Sequence, residues 1–256
     1  MDTIKALWIG PEIGAIEQMS LLSFRAAGHP VELFVYEPVR GVPDEITLRD
    51  GRDILPEDRI VRHSRSGSPA LFSDFFRFAV VAREGGIWAD TDVIALQALG
   101  VGEPYLFGRE DHRLINCAIY RAPPASELAL FLADQALNPR RLPGWASRRS
   151  LSRVLGGWAL GQYRGVADAP WGMYGPELLT AAIRKFGLES WCQDSDVFYP
   201  IGTKQVRLFF GPEEAVWSCL AETTRAIHLW RAELKDSSAP PFPEGSFMNA
   251  MARRFL

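Results

Sequence analysis

An α/β fold is predicted for this chain, and three observations carry the prediction. Residues 6–9 form an apolar run stopped by Gly10-Pro11, residues 15–27 repeat apolar side chains with a helical period, and residues 31–36 alternate with β-branched or aromatic residues. Strand, helix and strand within the first 36 residues make a βαβ unit, whose crossover is expected to be right-handed. Second, Ser73-Asp74-Phe75-Phe76-Arg77 opens a helical pattern that ends at Gly85-Gly86. Third, a short apolar strand follows at once, Ile87-Trp88-Ala89, and runs into two carboxylates, Asp90 and Asp92.

The elements follow in order. In the first helix Ile16, Met19, Leu21, Leu22 and Phe24 recur with a helical period, and Gly28 supplies the stop. Residues 38–68 are rich in Pro, Gly, Asp and Arg, and read as a short strand or two with a mobile loop at 65–68. Ser73 is the expected N-cap of the second helix, with Asp74 in its dipole-positive first turn. Residues 105–108 and 115–120 read as strands and 128–137 as an amphipathic helix. An Arg-rich stretch with few signals follows, then a helix over 178–186 stopped by Gly187. Phe198-Tyr199-Pro200 and Ala226-Ile227-His228-Leu229 read as short extended pieces. Three prolines between 236 and 245 suggest a linker or a packed arm. The expected organisation is one domain over 1–235 with a Pro-rich C-terminal extension over 236–256, the C-terminal half being loop-rich.

With 256 residues, 47% of them hydrophobic and 23% charged, the chain can bury a substantial core. A net charge of −3 leaves no overall electrostatic footprint for nucleic acid. No run approaches the ~20 apolar residues that span a bilayer, and the amino terminus lacks a signal-peptide pattern. Cys117, Cys192 and Cys219 are widely spaced and show no CxxC, which fits reduced thiols and a cytoplasmic location.

The acid pair admits three readings. In a regular strand, residues two apart share a face but lie almost 7 Å apart. Joint chelation by Asp90 and Asp92 therefore needs a bend at the strand end. The plainest alternative is a turn whose aspartates bond local backbone groups. A second is a DxDxV phosphatase, with Asp90 as nucleophile and Asp92 as general acid; it requires a downstream Lys and a second acidic pair, and no Gly-Asp-containing pair follows. The third is a divalent-metal site for a nucleotide diphosphate, because carboxylates are hard ligands suited to Mn²⁺ or Mg²⁺. Asp74 and Arg77, three apart on one helix, share a face that the double glycine can return toward such a site.

Taken together, Ser73-Asp74-x-x-Arg77 followed by Gly85-Gly86-Ile-Trp-x-Asp90-x-Asp92 resembles the DXD-containing sugar-nucleotide glycosyltransferases. That group includes initiating α-1,6-mannosyltransferases, α-1,4-galactosyltransferases, capsular polysaccharide transferases and the large glucosylating toxins. Ala226-Ile227-His228-Leu229-Trp230 is similar to the family's late His-x-Trp segment. Ile115-Asn116-Cys117-Ala118 is similar to the strand after the acid motif, and Gly175-Pro176 to a loop on the acceptor side. Ala89 departs from the larger apolar residue of many relatives.

The resemblance implies a GT-A-like, Rossmann-type mixed sheet flanked by helices. It implies a manganese- or magnesium-dependent hexosyltransferase acting from a nucleotide diphosphate sugar, a UDP-sugar being favoured, on a glycan or other hydroxyl acceptor. Retention of configuration and a place in polysaccharide or glycan synthesis are expected. Asp90, Asp92 and Arg77 would be catalytic. Trp8, Ile9, Asp74, Arg77, Asp90, Asn116 and Trp230 would bind the donor, and Asp90, Asp92 and His228 would hold the metal. Gly10-x-x-x-Gly14 is not the GxGxxG of nicotinamide dehydrogenases. Glu110 and Asp111 are the acids whose position makes them candidates for a covalent role. The alternative to an enzyme is a nucleotide-sugar-binding module with weak or lost turnover.

Overall fold

The first strand, β1 (Ile4–Leu7), is buried along its whole length and pairs in parallel with β2 (Val31–Val35) and β4 (Ile87–Ala89). The computed structural model describes residues 1–100, 102–139, 142–234 and 239–256. Helix α1 (Ala15–Ala26) connects β1 to β2, and β3 (Thr47–Asp50) extends the sheet beyond β2. On the other side of β4 lie β7 (Ile115–Arg121) and β6 (Leu106–Arg109), each antiparallel to its inner neighbour. The six-stranded order is β3-β2-β1-β4-β7-β6, a mostly parallel mixed sheet. A separate antiparallel ribbon joins β5 (Val93–Ala95) to β8 (Ala226–His228).

Strand alternation sorts the apolar residues into two layers. Ile4, Ala6, Leu33, Ile87 and Ala89 face α1 and the β5–β8 ribbon, whereas Leu7, Phe34 and Trp88 face helix α2 (Ala70–Glu84). Helix α3 (Glu127–Leu137) packs on α2, and α5 (Leu178–Lys185) lies against α3 and β7. A sheet covered on both sides explains why β1 and β4 read as continuous apolar runs. The buried Lys5 is neutralised by Glu32 at 2.8 Å and Glu84 at 2.7 Å, tying β1 to β2 and to the end of α2.

Some local expectations change. Helix α2 begins at Ala70 after Pro69, so Ser73 is an interior residue and Asp74 lies beyond the first turn. The Arg-rich stretch contains helix α4 (Arg148–Ala159), which Ser147 caps by accepting from the Ser150 N–H. Phe198 ends the short helix α6 (Ser195–Phe198) instead of lying in a strand. Helices α7 (Glu213–Trp217) and α8 (Arg231–Leu234) flank β8. The expected boundary between residues 235 and 236 lies outside the described residues. Beyond it, α9 (Phe247–Phe255) packs on α1, and Phe242, Phe247, Met248 and Met251 join the core beneath the ribbon.

The double glycine turns α2 into β4 in the fewest residues. Gly85 and Gly86 hold φ of 69° and 83°, and a Cβ on Gly86 would lie 2.8 Å from the Thr3 carbonyl oxygen. Gly102 has the same φ of 83° with nothing within 4 Å of its Cβ position. Gly86→Ala is expected to cost ~2–4 kcal/mol of unfolding free energy, against ~1 kcal/mol for Gly102→Ala. Urea melts of the two variants check this; equal losses would refute the close approach of β1 as the reason for glycine.

Candidate active site

Arg77 is the link between helix and sheet. Its side chain is 5% exposed, with one guanidinium nitrogen 3.3 Å from Asp74 Oδ1 and 3.1 Å from Asp90 Oδ1. The other terminal nitrogen donates to the Cys117 carbonyl at 2.6 Å, and the guanidinium lies 5.2 Å from the Trp88 ring centre. Asp74 and Arg77 thus share a helix face as their spacing predicts, but they form a buried bridge to β4 and β7 and not a surface staple. Trp88 Nε1 donates to Asp90 Oδ1 at 2.7 Å, which orients the acid from its own strand. Gly175 packs against Asp74; a Cβ there would sit 2.5 Å from the carboxylate.

The chain bends after β4. The Asp90 N–H donates to the Ala118 carbonyl at 2.8 Å, the Val93 N–H to the Asp90 carbonyl at 3.3 Å, and β5 then leaves the main sheet. In the ribbon His228 stands opposite Val93, which brings it next to the acid pair. His228 Nε2 lies 3.2 Å from Asp92 Oδ2, which also accepts the Arg231 backbone N–H at 2.9 Å. One ligand atom from each of Asp90, Asp92 and His228 falls within 4.8 Å of the others. The bend that joint chelation requires is therefore present, and a residue more than 130 positions away completes the group.

These residues open into a cleft of about 750 Å³. Trp8, Ile9, Asp74, Arg77, Asp90, Asp92, Asn116, His228 and Trp230 all line it. Asn116 donates to Glu110 at 2.8 Å and accepts from the Ala118 N–H at 2.7 Å. Of the two acids noted by position, Glu110 lines the cleft, whereas Asp111 accepts the backbone N–H groups of Arg113 and Leu114 in a turn. Trp230 adopts a left-handed φ of 56°, donates to the Ile201 carbonyl at 2.7 Å and lies with its ring 4.0 Å from that of His228. Sequence reasoning did not identify Trp88, Cys117 or Arg231. Trp88 carried a usable signal, since it lies two residues before Asp90 on one strand and so on the same face.

Charge and burial set the protonation pattern. Burial pushes Asp90 up, against the Arg77 charge. Burial also opposes the charge on Asp92, but His228 and the Arg231 N–H outweigh it and hold that carboxyl below its ordinary value. His228, penalised by burial, is raised by Asp92. The adjacent acids thus differ, Asp92 being the better anion.

Burial pushes Asp74 from an ordinary 3.8 up to about 6, in spite of Arg77. The folded chain then binds this proton more tightly than the unfolded chain, so stability falls as pH rises from about 4 to about 6. Asp74→Asn removes that loss. In chelator, its melting temperature relative to the unaltered protein should be higher near pH 7 than near pH 4. An identical difference at both pH values would contradict the assignment.

Residues 52–110 match the family model described as "Glycosyltransferase sugar-binding region containing DXD motif". The matched segment includes Asp74, Arg77, Asp90, Asp92 and Glu110, whereas Asn116 and His228 lie outside it. Among solved structures the chain is similar to "PaToxG Glycosyltransferase", with 14% identity over 73% of this chain and 68% of that one, at a TM-score of 0.46. No curated protein matches the chain. The segment that carries α2, β4 and the acid pair is therefore similar to the DXD-containing sugar-binding region of glycosyltransferases.

Proposed function

We propose that the chain transfers a hexosyl group from a nucleotide diphosphate sugar, a UDP-sugar in the favoured case, to a hydroxyl acceptor with retention, in polysaccharide or glycan synthesis. The observation that carries the proposal is the convergence of Asp90, Asp92 and His228 within 4.8 Å, beside Arg77, in a cleft of about 750 Å³. The residues fit a divalent cation: two carboxylate oxygens and an imidazole nitrogen are suitable donors for Mn²⁺ or Mg²⁺. His228 Nδ1 is also buried with no hydrogen-bond partner. When bound there, such a cation neutralises the charge that builds on a departing diphosphate.

The protein's own residues supply the remaining functions. Trp8 lies just past β1, and its indole N–H is buried with no protein partner, which suits recognition of the nucleoside. Arg77 fixes Asp74 and Asp90 so that their second oxygens can accept sugar or ribose hydroxyls. Asn116 and Glu110 form the polar wall on the β6–β7 side. Trp230 and His228, with tilted rings 4.0 Å apart, line the same cleft and help to exclude water from it.

Asp92→Ala should lower transfer or donor hydrolysis by ~10²–10³-fold with Mn²⁺ across a panel of UDP- and GDP-sugars, and melting curves establish that the variant still folds at the assay temperature. Undiminished turnover would overturn the metal assignment. Calorimetry with UDP and Mn²⁺ separates catalysis from mere binding: donor affinity without turnover on any acceptor would favour the binding-module alternative.

A further inference from the structure

From Gln135 to Ala167 the sequence holds six arginines and neither Asp, Glu nor Lys, although the whole chain carries a net charge of −3. Helix α4 runs through this stretch. Ser150 and Val154 face inward, while Arg148, Arg149 and Arg153 are exposed. Leu151, Leu155 and Trp158, spaced i, i+4 and i+7, form an apolar edge beside them. Along that edge Leu155 is 50% exposed and Trp158 44%, and Leu160, just past the helix, is 72% exposed. Arg164 then lines an open hollow together with Arg65 and one acid, Asp168, which accepts the Arg164 N–H at 2.8 Å, and the Ser64 N–H donates to the Ala167 carbonyl at 2.9 Å, joining the two segments. His63, next to Ser64, lines the active-site cleft and packs edge-on against Trp171, which is 61% exposed.

Exposed Leu155 and Leu160 beside Arg148, Arg149 and Arg153, on a helix that itself carries no acid, is the composition of a helix that lies in a membrane interface. The apolar edge enters the acyl boundary, and the guanidinium groups meet anionic headgroups. A nucleic-acid surface would engage the arginines but leave Leu155 and Leu160 without a role, whereas a bilayer surface takes up both. We propose that α4 and the Arg65–Arg164 hollow dock this protein on an anionic bilayer surface. Because the hollow borders the cleft, docking would turn the cleft opening toward the membrane. Binding does not depend on the glycosyl-transfer reading, and its test reads lipid association and not turnover.

The full-length protein should co-sediment with phosphatidylcholine vesicles containing phosphatidylserine, far less with phosphatidylcholine alone, and should be released by high salt. The double variant Arg149→Glu/Arg153→Glu should partition ~10-fold or more weakly, at roughly one kcal/mol for each basic residue at the surface. Leu155→Glu/Leu160→Glu should weaken binding with Arg149 and Arg153 intact, and melting curves establish that both variants fold. Equal sedimentation with both vesicle types, variants that bind like the unaltered protein, or retention on DNA without vesicle binding would each overturn the proposal.

Discussion

The site depends on one buried cation. Arg77 cannot be withdrawn from water without partners, because an uncompensated charge in a protein interior costs several kcal/mol. Asp74 from its own helix, Asp90 from the end of β4 and the Cys117 carbonyl from β7 supply them. Satisfying a single guanidinium thus fixes the relative positions of one helix and two strands. Such a bridge is poor evidence for stability, since an apolar replacement of equal volume often does as well. Its value is positional. Each carboxylate is held by one oxygen, and both residues line the cleft. The raised Asp74 carboxyl is the energetic mark of that arrangement, an acid kept where burial penalises its charge.

The second constraint is the corner at Asp90. Had β4 continued straight, Asp90 and Asp92 would stand too far apart to share a cation. The turn at Thr91 sends the chain into the β5–β8 ribbon, and the antiparallel register of that ribbon brings in His228. Glu17, fully buried at the start of α1, pairs with Arg231, whose backbone N–H reaches Asp92. The first helix and α8, just past β8, are thereby coupled to the acid pair through Asp92. Two layers of core meet at this corner, so the site inherits its rigidity from packing on both sides of the sheet.

Much of this was legible one element at a time. The β1–α1–β2 unit, the glycine stop of α2, the strand before Asp90 and the Asp74–Arg77 spacing all follow from period and punctuation, which act over a few residues. The misread segments have local explanations as well. Ser73 looks like an N-cap, but Pro69 starts the helix a turn earlier, because proline lacks an N–H and a helix start does not require one there. Helix α4 carries Gly156, Gly157 and exposed leucines, so its inward face reduces to little more than Ser150 and Val154. So narrow a buried face leaves almost no periodic signal. Phe198-Tyr199-Pro200 suggests a short extended piece, whereas Asp194 and Ser195 begin a short helix that Phe198 ends.

The sequence by itself determined the α/β class, the composite motif from Asp74 to Asp92 and the likeness to DXD glycosyltransferases, because each rests on residues close enough to be coupled by local backbone geometry. Only the tertiary structure decided that Arg77 is buried between two acids, that Trp88 orients Asp90, and that His228 stands beside Asp92. Those facts depend on strand register and layer packing between segments that, for Asp92 and His228, are 136 residues apart. No local period encodes them, since they are set by which surfaces must be buried together.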